Sequence, residues 1–265
     1  MTNEFQIPRM KNILKKRGNL IVAYLLAGYP NREAFLISLK LVANAGVDII
    51  EVGFPSANPS NDGQVIRDAH KKVDMSIQDD WVYWQKIRNA VDVPLWIMGY
   101  QSDLISNPRY EQLVSFSIAD AFVIPGLDID KNLELNEKLK SQGCETLGFV
   151  NGQMQEQSIR QVFATHRLIY VQLYVGETGC KAAQDDYEGI LQIAKDYPDV
   201  YSFAGFGIDS PQRVEQLLNQ GFDGVILGTA VIRHQNQSQE ALFQFVHEIK
   251  SAANKEREYE SHHNI

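Results

Sequence analysis

The stretch Asp48-Ile-Ile-Glu-Val-Gly-Phe-Pro-Ser-Ala-Asn-Pro-Ser-Asn-Asp-Gly63 decides the predicted fold. Its first part is a short, apolar, β-branched run, which is typical of a strand buried in a parallel sheet. A single carboxylate, Glu51, lies within this run, and strand alternation places it on the same face as Ile49 and Gly53. Burial of an ionised carboxylate costs several kcal/mol unless a partner compensates it. We therefore expect Glu51 to have a raised pKa and to take part in acid–base chemistry, with a structural ion pair as the alternative.

Composition excludes several classes of protein. The chain has 265 residues, of which 44% are hydrophobic and 22% charged, and this is ordinary for a globular protein. The net charge of −8 argues against a nucleic-acid surface, because phosphate-backbone binders need clustered basic residues. There is no apolar signal segment and no run of 18 apolar residues, so we expect no membrane contact.

The cysteines, histidines and glycine motifs predict neither a metal nor a cofactor. Cys144 and Cys180 lie far apart without metal-ligand spacing, which argues against both a metal site and a disulfide framework and fits a reducing cytoplasm. No Walker or dinucleotide-binding motif occurs. The six histidines fall outside the ends of the predicted strands, so none is expected to be the catalytic base. The protein is predicted to be cytoplasmic.

Apolar strands alternate with helical segments along the chain. We count eight strands, each followed by a helix, and eight such units close a parallel sheet into a (β/α)8 TIM barrel. The prediction is one barrel domain over residues 1–265, with an N-terminal helix and a frayed tail over about 255–265. The predicted strands cover 20–27, 48–53, 94–98, 121–124, 146–150, 168–174, 200–204 and 224–227.

A weak internal repeat supports this count. Ala45-Gly-Val-Asp-Ile-Ile-Glu-Val-Gly53 resembles Gln220-Gly-Phe-Asp-Gly-Val-Ile-Leu-Gly228, and Ala119-Asp-Ala-Phe-Val-Ile-Pro125 is a weaker third copy. Each copy contains a turn aspartate and an apolar strand, and the first two end in glycine. Such repetition is what a barrel built from similar βα units would show.

Glycine-rich turns follow the last three predicted strands. In a barrel of this kind the active site lies at the carboxyl ends of the strands, often with a phosphate site after strands seven and eight. Glycines let backbone N–H groups approach an anion closely. The alternative is that they only make tight turns. The predicted phosphate-binding residues are Gly179, Gly205, Gly207, Gly228 and Thr229.

A second carboxylate and three tyrosines complete the predicted site. Asp62 lies on the loop after the Glu51 strand, in a segment whose composition also suits a simple turn. Tyr24, Tyr100 and Tyr170 lie near the ends of strands one, three and six and could line a pocket for a flat apolar ligand. Aromatic residues at strand ends also serve in packing, so both interpretations stay open for them.

The chain resembles the α subunit of tryptophan synthase from about Leu20 to Arg233. The resemblance rests most specifically on the spacing of Glu51 and Asp62, which matches that family's two catalytic carboxylates. The other matching segments are Ala23-Tyr-Leu-Leu-Ala-Gly-Tyr-Pro30, Gly46-Val-Asp-Ile-Ile-Glu-Val-Gly-Phe-Pro55, Pro94-Leu-Trp-Ile-Met98, Gly176-Glu-Thr-Gly179, Gly205-Phe-Gly-Ile208 and Asp223-Gly-Val-Ile-Leu-Gly-Thr-Ala230.

This resemblance implies a carbon–carbon lyase. The expected reaction is retro-aldol cleavage of indole-3-glycerol phosphate to indole and glyceraldehyde 3-phosphate. Glu51 would move protons at indole C3 and at the glycerol hydroxyl, and Asp62 would stabilise positive charge on the indole nitrogen. Tyr24, Tyr100 and Tyr170 would line the indole pocket. The family also implies a pyridoxal-phosphate β subunit as partner.

Several loops depart from the family pattern. Pro55-Ser-Ala-Asn-Pro59 stands where the family usually has Pro-Phe-Ser-Asp-Pro, and Gly126-Leu-Asp128 stands where Asp-Leu-Pro is usual. Because several of these loops meet the β subunit in the family, the sequence leaves open whether such a subunit binds. Two further alternatives are a barrel lyase or isomerase for another phosphorylated substrate and a non-catalytic binding or activating subunit.

Overall fold

A computed structural model describes residues 8–15, 18–174 and 187–263 of the chain. Within these ranges, nine parallel strands form one sheet in the order β5-β4-β3-β2-β1-β9-β8-β7-β6. The two strands at the ends of this order, β5 and β6, are separated in the chain by Leu147 alone, so the sheet curls into a nearly closed barrel. The strands are β1 (Leu20–Leu26), β2 (Ile49–Gly53), β3 (Leu95–Met98), β4 (Ala121–Val123), β5 (Glu145–Thr146), β6 (Gly148–Asn151), β7 (Leu168–Gln172), β8 (Tyr201–Gly205) and β9 (Gly224–Leu227).

Helices connect successive strands and cover the outside of the sheet, as parallel pairing requires. They are α1 (Pro8–Leu14), α2 (Arg32–Asn44), α3 (Gln64–His70), α4 (Trp81–Asn89), α5 (Gln101–Leu104), α6 (Arg109–Ser115), α7 (Ile129–Lys140), α8 (Glu156–Thr165), α9 (Glu188–Ala194), α10 (Pro211–Asn219), α11 (Thr229–Gln235) and α12 (Gln239–His263), with a 3-10 helix at Met75–Asp79. No helix in the described ranges is both long and apolar enough to span a bilayer.

The barrel prediction is confirmed, with one predicted strand divided in two. The segment expected as a single strand over 146–150 changes partners at Leu147, since β5 pairs with β4 and β6 pairs with β7. The amide of Asn132 donates to the Leu147 carbonyl at 2.9 Å and thereby occupies an acceptor at the junction between the two strands. The side chain of Val162 packs against Gly148, where a Cβ atom would lie 2.4 Å from it. Helices α7 and α8 thus hold this junction.

The aspartates of the internal repeat accept hydrogen bonds from backbone N–H groups near the starts of neighbouring strands. The Asp48 carboxylate accepts the Ile21 N–H at 2.9 Å, and Asp120 accepts the Leu95 N–H at 2.8 Å. In the remaining copy, Gln220–Gly228, Asp223 accepts the Ser202 N–H at 2.8 Å. A charge-assisted bond of this kind stabilises the amino-terminal end of a strand, away from the carboxyl ends that form the site.

The last helix is longer than expected. The sequence pattern predicts a helix from about 238 to 253, whereas α12 continues to His263. Residues 255–259, Lys-Glu-Arg-Glu-Tyr, are mostly strong helix formers, so the backbone continues beyond the end of the apolar pattern. That the tail frays remains a prediction, as does the single-domain boundary.

Candidate active site

A cavity of about 540 Å³ opens among the carboxyl ends of the strands. Among the residues proposed from the sequence, seven line it: Tyr24, Glu51, Asp62, Tyr170, Gly207, Gly228 and Thr229. Tyr100 and Gly205 lie one layer behind the wall, in contact with Asp62 and Tyr170 respectively. Gly179 lies outside the described residues.

Glu51 lies near the end of β2 with only 4% of its surface exposed. The parallel register pairs it with Tyr24 of β1 and Trp96 of β3. Burial, followed by the nearby negative charge of Asp62, raises its pKa to about 8. In the described part of the chain, no group donates a hydrogen bond that would favour the ionised form. Glu51 is therefore protonated at neutral pH and can act as an acid.

Asp62 lies in the loop between β2 and α3, and it is 2% exposed. Burial raises its pKa to about 6, while the Tyr100 hydroxyl, which donates to Oδ2 at 2.6 Å, and the Arg67 charge oppose this rise. The Arg67 guanidinium also donates to the backbone carbonyl of Asp62 at 2.6 Å. Asp62 is therefore mostly ionised at neutral pH, unlike Glu51. Two carboxyl groups whose environments separate their pKa values suit distinct roles in one reaction.

Glycines allow two tyrosines to lie against the ends of the strands. A Cβ atom on Gly53 would lie 2.2 Å from the Tyr24 hydroxyl, and one on Gly205 would lie 2.3 Å from the Tyr170 ring. Gly205 belongs to the strand ladder, where its carbonyl accepts the Leu173 N–H at 3.1 Å. Gly205 thus lies beneath the aromatic wall, and its predicted contact with a phosphate stays a prediction.

Aromatic rings form one wall of the cavity. The rings of Phe149 and Tyr170 stack with centroids 4.7 Å apart and an angle of 13° between their planes. Phe206 meets Tyr170 and Tyr174 edge-on, with centroids 6.0 and 5.7 Å away. Such a wall suits a flat, apolar ring. Sequence reasoning missed Phe149 and Phe206, because Phe149 lies inside a predicted strand rather than at its end, and Phe206 lies in a motif that was interpreted only through its glycines.

The loops after β8 and β9 supply polar groups to the same cavity. Phe206 and Gly207 both have positive φ, 75° and 68°, which turns the chain sharply after β8. Thr229 has a buried hydroxyl, and no hydrogen-bond partner for it is found in the described part of the chain. Two cations also line the cavity, the half-buried Arg213 and the exposed Arg233. The sequence did not single them out, because arginines on helices are common at surfaces.

His70 is a further residue that sequence reasoning missed. It ends α3, is 4% exposed, and its Nε2 lies 3.8 Å from Asp62 Oδ2. A helical position gives no signal of a site, so only the fold reveals this proximity. No cluster of three or more His, Cys, Asp or Glu side chains within the described ranges could hold a metal ion.

The sequence matches a known protein family over almost its whole length. Residues 10–261 match the family model described as the tryptophan synthase alpha chain. The alpha chain of Petrotoga mobilis is 26% identical over 243 residues, which is 89% of this chain and 93% of the relative. That of Methanosarcina acetivorans is 27% identical over 256 residues, 92% of each chain.

Solved structures agree on the fold. Tryptophan synthase from Mycobacterium tuberculosis superposes with a TM-score of 0.81 at 20% identity, covering 92% of this chain and 98% of that one. The alpha subunit from Pyrococcus furiosus gives a TM-score of 0.75 at 22% identity, covering 88% and 98%. Because the family model spans nearly the whole sequence, this chain belongs to the tryptophan synthase alpha chain family and is a lyase of the class that cleaves indole-3-glycerol phosphate.

Proposed function

We propose that this cavity cleaves indole-3-glycerol phosphate to indole and glyceraldehyde 3-phosphate, with Glu51 and Asp62 as its catalytic residues. The observation that carries this assignment is the pair of buried carboxyl groups with separated pKa values, about 8 and about 6, in one aromatic-walled cavity. At neutral pH the pair supplies one acid and one anion, which are the two groups that this cleavage needs.

Glu51 moves the protons in the proposed reaction. Its carboxylic acid first protonates indole C3, which places positive charge on the ring nitrogen. The resulting carboxylate then takes the proton of the hydroxyl on the glycerol carbon attached to C3. The carbon–carbon bond breaks, its electrons restore the indole ring, and the hydroxyl carbon becomes the aldehyde. Glu51 ends protonated, as it began, so the cycle balances without a cofactor.

Asp62 stabilises the intermediate. Protonation at C3 makes the indole nitrogen cationic, and an ionised carboxylate fixed within the cavity lowers the energy of that charge. The Tyr100 hydroxyl holds the Asp62 carboxylate by a hydrogen bond of 2.6 Å, so little reorganisation is needed when the charge develops. The stacked wall of Phe149 and Tyr170 would position the flat ring between the two carboxyl groups.

The phosphate would lie at the loops after β8 and β9. This part of the cavity is bordered by backbone groups at Gly207 and Gly228, by the buried Thr229 hydroxyl, and by the charges of Arg213 and Arg233. Together they offer donors and positive charge to an anion in a protein of net charge −8. Gly179 belongs to the same proposal through its motif, although it lies outside the described residues.

Binding of glycerol phosphate should raise the melting temperature. At about ten times the dissociation constant the stabilisation is about 1.4 kcal/mol, or roughly 3–6 °C for a chain of this size. Thr229→Val should reduce the shift because it removes one donor, and unphosphorylated glycerol should give no shift. A melting temperature that millimolar glycerol phosphate leaves unchanged would contradict the phosphate site.

Incubation of the purified chain with indole-3-glycerol phosphate tests the reaction itself. We expect indole and glyceraldehyde 3-phosphate in equal amounts, without an added cofactor. If glycerol phosphate stabilises the protein but no indole is released, alone or with a β subunit, the substrate would be another phosphorylated compound.

The protein partner that this family implies is the pyridoxal-phosphate β subunit. The solved structures that share this fold include tryptophan synthase from M. tuberculosis. In this chain Ser56, Ala57 and Asn58 replace the Phe-Ser-Asp that is usual in the loop after the glutamate strand. We therefore propose a lyase whose cavity carries the complete catalytic machinery within one chain.

A further inference from the structure

His70 is a buried histidine whose surroundings fix which ring nitrogen carries the proton. The backbone N–H of Ser56 donates to Nδ1 at 3.1 Å, and an N–H group can only donate. Burial lowers the pKa of His70 to about 4, so the ring is neutral at neutral pH. In a neutral ring with an accepting Nδ1, the proton is on Nε2.

The Nε2 atom of His70 lies close to Asp62. Nε2 lies 3.8 Å from Asp62 Oδ2, the same oxygen that accepts the Tyr100 hydroxyl at 2.6 Å. Both side chains are only 2% exposed. No group in the described part of the chain accepts a hydrogen bond from Nε2. A buried donor without a partner is costly, so its place beside an active-site carboxylate needs an explanation.

We propose that His70 is a positioning residue for Asp62, whose Oδ2 moves by less than 1 Å to accept the Nε2–H bond when substrate occupies the cavity. This rests on the role of Asp62 proposed above. Two donors, Tyr100 and His70, would then hold one carboxylate oxygen and leave the other for the indole nitrogen. Hydrogen bonds to the ionised form also keep a carboxylate charged.

Other charged and titratable groups surround His70 and Asp62, and they are the same in the wild type and in the His70 variants described below. Glu51 and the hydroxyl groups of the surrounding tyrosines contribute from the strands and the loop after β3, and Arg67 contributes from α3. The residues concerned are Tyr24, Glu51, Arg67, Tyr100, Asp103 and Tyr170.

Two substitutions separate positioning from packing. In His70→Gln the side-chain amide nitrogen takes the place of Nε2 and can still donate to Asp62. In His70→Asn the shorter side chain can accept the Ser56 N–H but cannot reach Asp62. We expect His70→Asn to lower kcat/KM for indole release on the order of tenfold and to shift the acidic limb of its pH profile upward, since Asp62 ionises less readily. His70→Gln should keep most of the activity and the wild-type limb.

An unchanged pH profile in His70→Asn, or an equal loss in His70→Gln, would overturn the inference. Nitrogen NMR of the histidine rings in the wild type provides a readout that needs neither turnover nor a folded variant. We expect a protonated Nε2 whose shift changes when indole and glycerol phosphate are added; a protonated Nδ1 or an unresponsive Nε2 would refute the proposal. If the wild type releases no indole, the proposed function fails, while the NMR result still decides the contact.

Discussion

Glu51→Gln is expected to lower indole release by about 10²–10⁴-fold, because glutamine can neither give nor take the proton. The substrate should still bind, since neither the aromatic wall nor the loops after β8 and β9 change. The loss should therefore appear in kcat rather than in KM. Glu51→Asp is the matched control, because it keeps an ionisable carboxyl group on a side chain that is one methylene shorter. This variant should retain a small, pH-dependent activity.

The same substitution should stabilise the protein. The pKa of Glu51 rises from its ordinary value of 4.5 to about 8 on folding, so the folded state binds the proton more tightly than the unfolded state. Stability is therefore lost as pH rises from 4.5 to 8, by about 3 kcal/mol at pH 7. Glutamine has no charge to bury, and Glu51→Gln should melt roughly 6–12 °C higher at pH 7. Equal melting temperatures at pH 4 and a growing difference up to pH 8 would identify this cause.

Asp62→Asn is expected to have the second-largest effect, a loss in kcat of about 10²–10³-fold. The amide can still accept the Tyr100 hydroxyl bond, so the local structure should persist, but it carries no charge to oppose that on the indole nitrogen. We assign the acidic limb of the pH–activity profile to Asp62, whose pKa is about 6. This limb should be absent in Asp62→Asn. Tyr100→Phe is a useful comparison, because it removes the donor and should raise the pKa of Asp62 while leaving its charge available.

If Asp62→Asn had normal turnover, Asp62 would have no catalytic role and would serve only in the turn. That alternative follows from the composition of the loop, and burial beneath Tyr100 and beside His70 argues against it.

The sequence was sufficient for the barrel because its strands and helices repeat with a regular period. The Glu51 strand could be identified from one carboxylate in an apolar run, and the repeated aspartates marked where strands begin. The division of the fifth predicted strand at Leu147 could not be predicted, because local sequence does not show the change of pairing partner or the contact that Asn132 of α7 makes there.

The proximity of Glu51 and Asp62, the proposed catalytic pair, could be predicted for a different reason from the rest of the cavity. Glu51 and Asp62 lie on one strand and its loop, so local sequence keeps them together. Tyr100 reaches Asp62 from the loop after β3, and His70 reaches it from α3, so their contacts exist only once the chain has folded. Gly205 shows the limit of motif reasoning, since its packing against the Tyr170 ring is not visible in a glycine motif, and its predicted phosphate contact stays a prediction.

We propose that two buried carboxyl groups perform acid–base cleavage of indole-3-glycerol phosphate. The most direct test is the rate of indole release from that substrate by the wild type and by Glu51→Gln, measured side by side from pH 5 to pH 9. We predict a bell-shaped kcat/KM profile for the wild type, with limbs near the pKa values of about 6 and about 8, and almost no release by the variant at any pH. Turnover by Glu51→Gln close to that of the wild type would show that Glu51 does not transfer the proton.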